Sequence, residues 1–205
     1  MQHKSHWENV YEAKSPEAVS WYQRHAARSL ALIRAVADDP RGPIIDVGGG
    51  ASVLVDELLD AGYEDVTVLD LAGAALAIAR ARLGARADRV RWLEADVRTV
   101  ALPAAHYAVW HDRAVFHFLT DPADRAAYVA QVERSVRAGG YVLVATFAED
   151  GPTHCSGLPV ERYSSGSLHR TFGSAFDLVS SAREDHVTPA GAHQSFVYCL
   201  CRLGT

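Results

Sequence analysis

A chain of 205 residues is the length of one ordinary domain, and a composition 49% hydrophobic and 22% charged excludes a disordered, collagenous or fibrous protein. Twenty basic against twenty-five acidic side chains leave a formal charge of -5, which gives no overall reason to bind nucleic acid or an anionic membrane. No apolar run reaches the roughly 18 residues of a membrane span, and the first residues lack the apolar core of a secretory signal. Three cysteines, Cys155, Cys199 and Cys201, make neither a disulfide framework nor a zinc pair. A single cytoplasmic domain over 1–205 with reduced thiols and no metal site is expected.

Residues 1–15 are polar with interspersed aromatics, and Trp7 and Tyr11, four apart, share one face of a short helix. Val19, Tyr22, Ala26, Leu30 and Ile33 then recur at helical spacing, which predicts an amphipathic helix over 16–37. Breakers from Asp38 to Pro43 end it. Ile44-Ile45-Asp46-Val47 reads as a buried strand delivered into three glycines, and strand and helix alternate thereafter. Helices are expected over 52–61, 74–83 and 122–137, and strands over 66–69, 90–93, 107–110 and 141–147. This alternation predicts a parallel sheet covered on both faces. After a short helix over 167–172, strands over 177–181 and 196–202 are joined by a loop too short for a helical crossover, so the last strand should run antiparallel beside its predecessor.

A strand that meets a helix through a glycine turn brings backbone N–H groups close to a ligand, so a small-molecule cofactor is implied. The dinucleotide pattern G-x-G-x-x-G fails because Val53 stands where its third glycine should be, which speaks against a nicotinamide oxidoreductase. Gly50-Ala51-Ser52 also lacks the lysine of a phosphate loop.

The run Asp46-Val47-Gly48-Gly49-Gly50-Ala51-Ser52 resembles motif I of the class I S-adenosylmethionine-dependent methyltransferases. Asp70-Leu71 closes the second strand, where that family holds the ribose, and Ala95-Asp96-Val97 follows the third, where it recognises adenine. The resemblance implies a Rossmann-like α/β fold with a seven-stranded sheet, helices on both faces and an antiparallel last strand. The core would span 44–205, and residues 1–37 would form a lid. It implies S-adenosyl-L-methionine as cofactor, held by Asp46, Gly48, Gly49, Gly50, Ser52, Asp70, Leu71, Asp96, Val97 and His111, with Trp7 and Tyr11 closing over it. The residues themselves suit that ligand: carboxylates at the carboxyl edge of a parallel sheet accept from an amino group, a ribose diol and an exocyclic amine.

Methyl transfer needs nucleophile and methyl group held at near-attack distance in a water-poor site, and little acid–base machinery. The segment after the fourth strand is dense in chemistry where the family positions its acceptor. Trp110-His111-Asp112-Arg113, with Asp124-Arg125 and Tyr128, is similar to the Trp-Asp-Arg-Gly segment and following helix of the thiopurine and thiol methyltransferases, although His111 intervenes and Ala114 replaces the glycine. Asp112-Arg113 also resembles the Asp-Lys-Gly segment of small protein-lysine methyltransferases. Asp112, Arg113, His111 and His117 are therefore the candidate catalytic residues. Plainer roles stand beside these: a backbone contact only for His111, packing for His117, and a mutual surface ion pair for Asp112 and Arg113. A permanent guanidinium suits an anionic acceptor. The expected partner is a small-molecule methyl acceptor such as a thiol, with a protein lysine as the alternative. The loop over 149–159, with Cys155, should overhang the acceptor, and Cys199 and Cys201 alternate into the core.

Overall fold

The computed structural model describes residues 2–205. Its sheet has seven strands in the order β3-β2-β1-β4-β5-β9-β8. These are β1 (Ile44–Val47), β2 (Val66–Asp70), β3 (Val90–Glu94), β4 (Tyr107–Arg113), β5 (Val136–Phe147), β8 (Phe176–Val187) and β9 (His193–Leu203). The first five are parallel, whereas β9 inserts antiparallel between β5 and the edge strand β8. A two-stranded ribbon, β6 (His154–Cys155) and β7 (Leu158–Pro159), lies apart from the sheet. The expected α/β architecture and antiparallel finish are present, and the ribbon was not foreseen.

Alternation along the central strands sends successive apolar residues into two cores, one on each face. Ile44 packs beside Ile33 of α2 (Ala27–Arg34), Leu58 of α3 (Leu54–Asp60) and Leu76 of α4 (Gly73–Leu83). Its neighbour Ile45 joins Tyr128 and Val132 of α5 (Pro122–Ser135) and Leu168 of α6 (Ser165–Phe172) on the other face. The helix ends follow local chemistry. Asp121 caps α5 by accepting from the Ala123 amide, with Pro122 in the first turn, and Ser164 and Ser167 form a capping box at α6.

The helix expected over 16–37 is the main correction. Only a single turn at Pro16–Ala18 and then α2 are helical, and Val19 is already extended. Backbone groups that a continuous helix would pair internally go to tertiary partners. The Ser20 carbonyl accepts from His186 Nε2 at 2.8 Å, and the Ala26 amide donates to Glu57 at 3.1 Å. Those bonds hold the segment open across the sheet edge, so tertiary context overrides its helical periodicity.

The amino-terminal helix α1 (Gln2–Ala13) is anchored beyond the carboxyl ends of β2 and β3. Glu8 accepts from the Gly73 and Ala74 amides at 2.8 and 3.0 Å, so a side chain from α1 satisfies the free donors at the start of α4. Lys4 pairs with Glu94 at the end of β3. Replacing Glu8 with alanine leaves those amides to water and should weaken the docking of α1 by about 1 kcal/mol. The check is amide hydrogen exchange, which should accelerate at Gly73 and Ala74 while β1 and β4 stay protected.

Candidate functional site

The carboxyl ends of β1 and β2 carry the glycine turn and two buried carboxylates. Gly48 has φ +69°, and a Cβ there would overlap the Val115 side chain. A Cβ on Gly49 would strike the Asp46 carboxylate, and one on Gly50 the Asp70 carboxylate. The three glycines are therefore demanded by close approach as well as by dihedral angle. Ser52 accepts from the Leu54 amide at 3.1 Å and so shapes the entry to α3.

Two adjoining cavities meet at this turn. The first spans about 940 Å³, open solvent at its mouth included. Gly48, Asp70, Leu71, Asp96 and Val97 line one side, and Trp7, Tyr11, Trp21, Arg113, Phe118 and Cys155 the other. The second is bordered by Asp46, Gly49, Ser52, His111 and Ser29 and shares Tyr11, Trp21, Gly48 and Arg113 with the first. Trp7 stands edge-on to Trp21 and Phe118 at 5.6 and 5.0 Å between ring centres, and Tyr11 edge-on to Trp21 at 6.2 Å. The expected face shared by Trp7 and Tyr11 is thus turned onto the site.

Asp70 accepts from the Ala72 amide at 2.9 Å. Burial pushes its carboxyl up to about 7, with the Asp46 charge nearby adding to the rise and the amide bonds opposing it. Asp96 is held by Arg98 through both oxygens, at 2.5 to 3.2 Å, which keeps its carboxyl below the usual range, and Arg98 also bridges to Asp124. Asp96 is thus already charge-paired.

The four candidates around β4 separate by the face of the strand they occupy. Asp112 points away from the cavities toward α5. It accepts from the amides of Val115 and Phe116 and from the Tyr128 hydroxyl at 2.6 Å, while Tyr128 accepts from Trp110 Nε1 at 2.9 Å. Burial raises its carboxyl to about 6 against those bonds. Asp112, expected as a catalytic residue, lines neither cavity, because alternation places it on the same face as Trp110, and it does not pair with Arg113. His117 is also away from the cavities. Its Nδ1 accepts from the Phe147 amide at 3.3 Å, and burial, with Arg113 nearby, drives its pKa to about 3, so it is neutral packing. His111 lies under the turn, between Asp46 and Ser29.

Of the four, His111 borders the second cavity and Arg113 lines both. Its Nε donates to the Tyr198 hydroxyl at 3.0 Å, its Nη1 to the Trp21 carbonyl at 3.3 Å, and its guanidinium lies 4.1 Å from the Phe196 ring centre. Glu184 is 3.5 Å from Nη2, which is buried without a hydrogen-bond acceptor. Ala114 has φ +71° and turns the chain out of the strand. Cys155 does line the first cavity, and burial pushes its thiol up to about 11. Sequence reasoning did not single out Glu8, Phe118, Glu184 or Tyr198. For the last two, only the antiparallel pairing of β8 with β9 could have signalled that they converge on Arg113.

A sequence model of a methyltransferase domain matches residues 44–140. Among curated proteins, the eEF1A lysine and N-terminal methyltransferase of Bos taurus is 25% identical over 150 residues, covering 70% of this chain and 21% of that protein. The Homo sapiens protein of the same name is 23% identical over the same coverage. The chain thus spans about a fifth of the length of these relatives. Among solved structures, one from work on the conversion of a disulfide bond into a thioacetal group during echinomycin biosynthesis superposes with a TM-score of 0.79 at 19% identity, covering 98% of this chain and 92% of that one. Burkholderia thailandensis 1,6-didemethyltoxoflavin-N1-methyltransferase, with its substrate and S-adenosylhomocysteine bound, gives 0.71 at 19% identity, covering 100% and 85%. The N-methyltransferase NodS of Bradyrhizobium japonicum, also with S-adenosylhomocysteine, gives 0.73 at 12%, covering 97% and 98%.

The residues present fit S-adenosylmethionine. Asp70 can accept from a ribose diol, and Asp46 has one buried oxygen with no partner. The turn offers close backbone approach without the lysine of a phosphate loop or the third glycine of a dinucleotide turn. An ionised Asp70 is the form that accepts from two hydroxyls. Affinity for S-adenosylhomocysteine should therefore be full well above pH 7 and fall several-fold as pH drops through about 7 toward 6. Asp70→Ala should remove that dependence and weaken binding by about 1.5 to 3 kcal/mol, roughly ten- to a hundredfold. Titration calorimetry at three pH values tests both.

Proposed function

We propose that the chain is a class I S-adenosylmethionine-dependent methyltransferase and that its acceptor is a small-molecule soft nucleophile such as a thiol. The bound cofactor supplies an electrophilic methyl group on a sulfonium centre. The chain supplies position, dryness and charge. In this reading Asp70 and Leu71 hold the ribose side, Asp96 and Val97 the adenine side, and the backbone at Gly48, Gly49 and Gly50 the amino-acid end, with Asp46 and Ser52 supporting the turn.

The observation that carries the acceptor assignment is Arg113, buried beneath the aromatic cap with one guanidinium nitrogen lacking a hydrogen-bond acceptor. A thiol must lose its proton to attack, and a guanidinium beside it favours the thiolate. The same charge opposes the positive charge that grows on an amine during attack. Glu184, at 3.5 Å, offsets part of that charge and fixes the direction of the side chain. Trp7, Tyr11, Trp21 and Phe118 exclude water from the acceptor half of the cavity and offer flat apolar walls to a compact molecule. Asp112 and His117 act here as positioning groups: the first shapes the turn that presents Arg113, and the second packs under β5.

A protein lysine or terminal amine is the second reading, favoured by the names of the curated relatives. Under it, α1 would have to yield to a polypeptide, and the Arg113 charge would hinder the amine. The two readings separate on two variants. Arg113→Ala should lower methyl transfer to an anionic thiol about tenfold or more, of order 1.4 kcal/mol, and leave S-adenosylhomocysteine affinity nearly unchanged. Thiol turnover indifferent to this change, or labelling of a lysine in a lysate with no turnover on any thiol, would overturn the thiol assignment. Deleting residues 1–14 removes Trp7, Tyr11 and the Glu8 anchor together. The shortened protein should stay folded by circular dichroism yet turn over slowly, because the acceptor half is left open to water.

A further inference from the structure

The turn that carries Trp21 is gripped by two side chains from different strands. It is closed by the Tyr22 amide, which donates to the Val19 carbonyl at 3.1 Å. The carbonyls of its two central residues take partners from the sheet: that of Ser20 accepts from His186 Nε2 of β8 at 2.8 Å, and that of Trp21 from Arg113 Nη1 of β4 at 3.3 Å. Phe196 of β9 packs against both donors, with His186 edge-on to its ring at 6.0 Å and the Arg113 guanidinium 4.1 Å from its centre.

A carbonyl only accepts, so the His186 proton sits on Nε2. The residue is 6% exposed, and burial lowers its pKa against the opposing effect of the Ser20 bond, so the ring is a neutral donor. His186 lines neither cavity and can act on a ligand only through the turn that it holds. That turn does face the cavities. Trp21 lines both, donates from Nε1 to the Tyr11 hydroxyl at 3.3 Å and stands edge-on to Trp7. The Ser20 side chain lies beside the Cys155 thiol, which lines the first cavity and is 4% exposed.

We propose that His186 is a positioning residue of the acceptor half: by holding the Ser20 carbonyl it fixes Trp21 as a wall of the cavity and keeps the turn closed over Cys155. The inference rests on the methyl-transfer reading for the identity of that half, whereas the grip is a matter of this chain's own hydrogen bonds. Because Trp21 also supplies an acceptor to Arg113, release of Ser20 would loosen the wall and one partner of the guanidinium together. The width of the acceptor half is thereby set from β8, by a residue 166 positions after the carbonyl it holds.

Cys155 reports on the turn, and Cys199 and Cys201, each 2% exposed, report on the fold as a whole. Alkylation of the full chain by iodoacetamide, resolved by mass spectrometry for each cysteine, should be about fivefold faster at Cys155 in His186→Leu and unchanged at Cys199 and Cys201. His186→Gln, which returns an amide N–H close to the position of Nε2, should restore protection, whereas His186→Asn, one carbon shorter, should not. With S-adenosylmethionine as donor, the KM for thiophenol should follow the same order and rise about fivefold in the leucine and asparagine variants. Cys155 rates that do not distinguish the three variants, or exposure of all three cysteines together, would reduce His186 to a packing residue and overturn the proposal. If His186→Leu does not fold, the contrast between glutamine and asparagine decides on the same criterion. Protection of Cys155 that responds as expected, in a chain that binds no S-adenosylhomocysteine and methylates no thiol, would sustain the grip and overturn the methyl-transfer reading.

Discussion

The end of β4 is clamped from both faces of the sheet, and the site depends on that clamp. His111 and Asp112 are consecutive and therefore point to opposite sides. One reaches Asp46 and the helix carrying Ser29; the other reaches Tyr128 on α5 and the two amides that follow. Burying these carboxylates is unfavourable unless each recruits donors, so desolvation itself draws helices onto both faces at the point where the sheet meets the ligand. Arg113 and the left-handed Ala114 come directly after the clamp, and their placement is inherited from it.

The electrostatics of the cavity divide along the same line. Carboxylates dominate the half formed by β1, β2 and β3, where Asp46 and Asp70 are buried and Asp96 is balanced by Arg98. That half suits a cationic ligand. The opposite half holds aromatic rings and a guanidinium, which suits a ligand that is flat, apolar and electron-rich. Under the methyl-transfer reading, loss of the sulfonium charge would weaken attraction to the acidic half, so the same carboxylates that suit a charged cofactor would favour its replacement after turnover.

Much of the cavity half formed by β1, β2 and β3 was legible because it depends on local grammar. A strand, a glycine turn and acidic residues closing successive strands lie in short segments, and Asp46, Gly48, Asp70 and Asp96 can be placed by counting. The acceptor half depends on side-chain direction and on pairing between distant segments. Asp112 read as chemistry because it neighbours Arg113, although alternation from Trp110 already directs it to the other face. The helix expected over 16–37 failed for a related reason: its apolar spacing is real, but Ser20 and Ala26 find their partners on β8 and α3 and not one turn away. Glu8 carries no sequence signal at all, since its partners are backbone amides 65 and 66 positions further on.

The insertion of β9 between β5 and β8 has a consequence for assembly. Phe196 and Tyr198 on β9 and Glu184 on β8 surround Arg113, so the groups that orient this side chain are 71 to 85 positions later in the chain. The parallel half can collect its strands in order as the chain emerges from the ribosome. The guanidinium, by contrast, stays loose until the hairpin threads into place beside β5, a pairing of high sequence separation and correspondingly slow closure. During synthesis the half of the cavity lined by β1, β2 and β3 is thus built before Arg113 is fixed, and a nascent chain that stalls before the hairpin would carry the glycine turn with its guanidinium unanchored by β8 and β9.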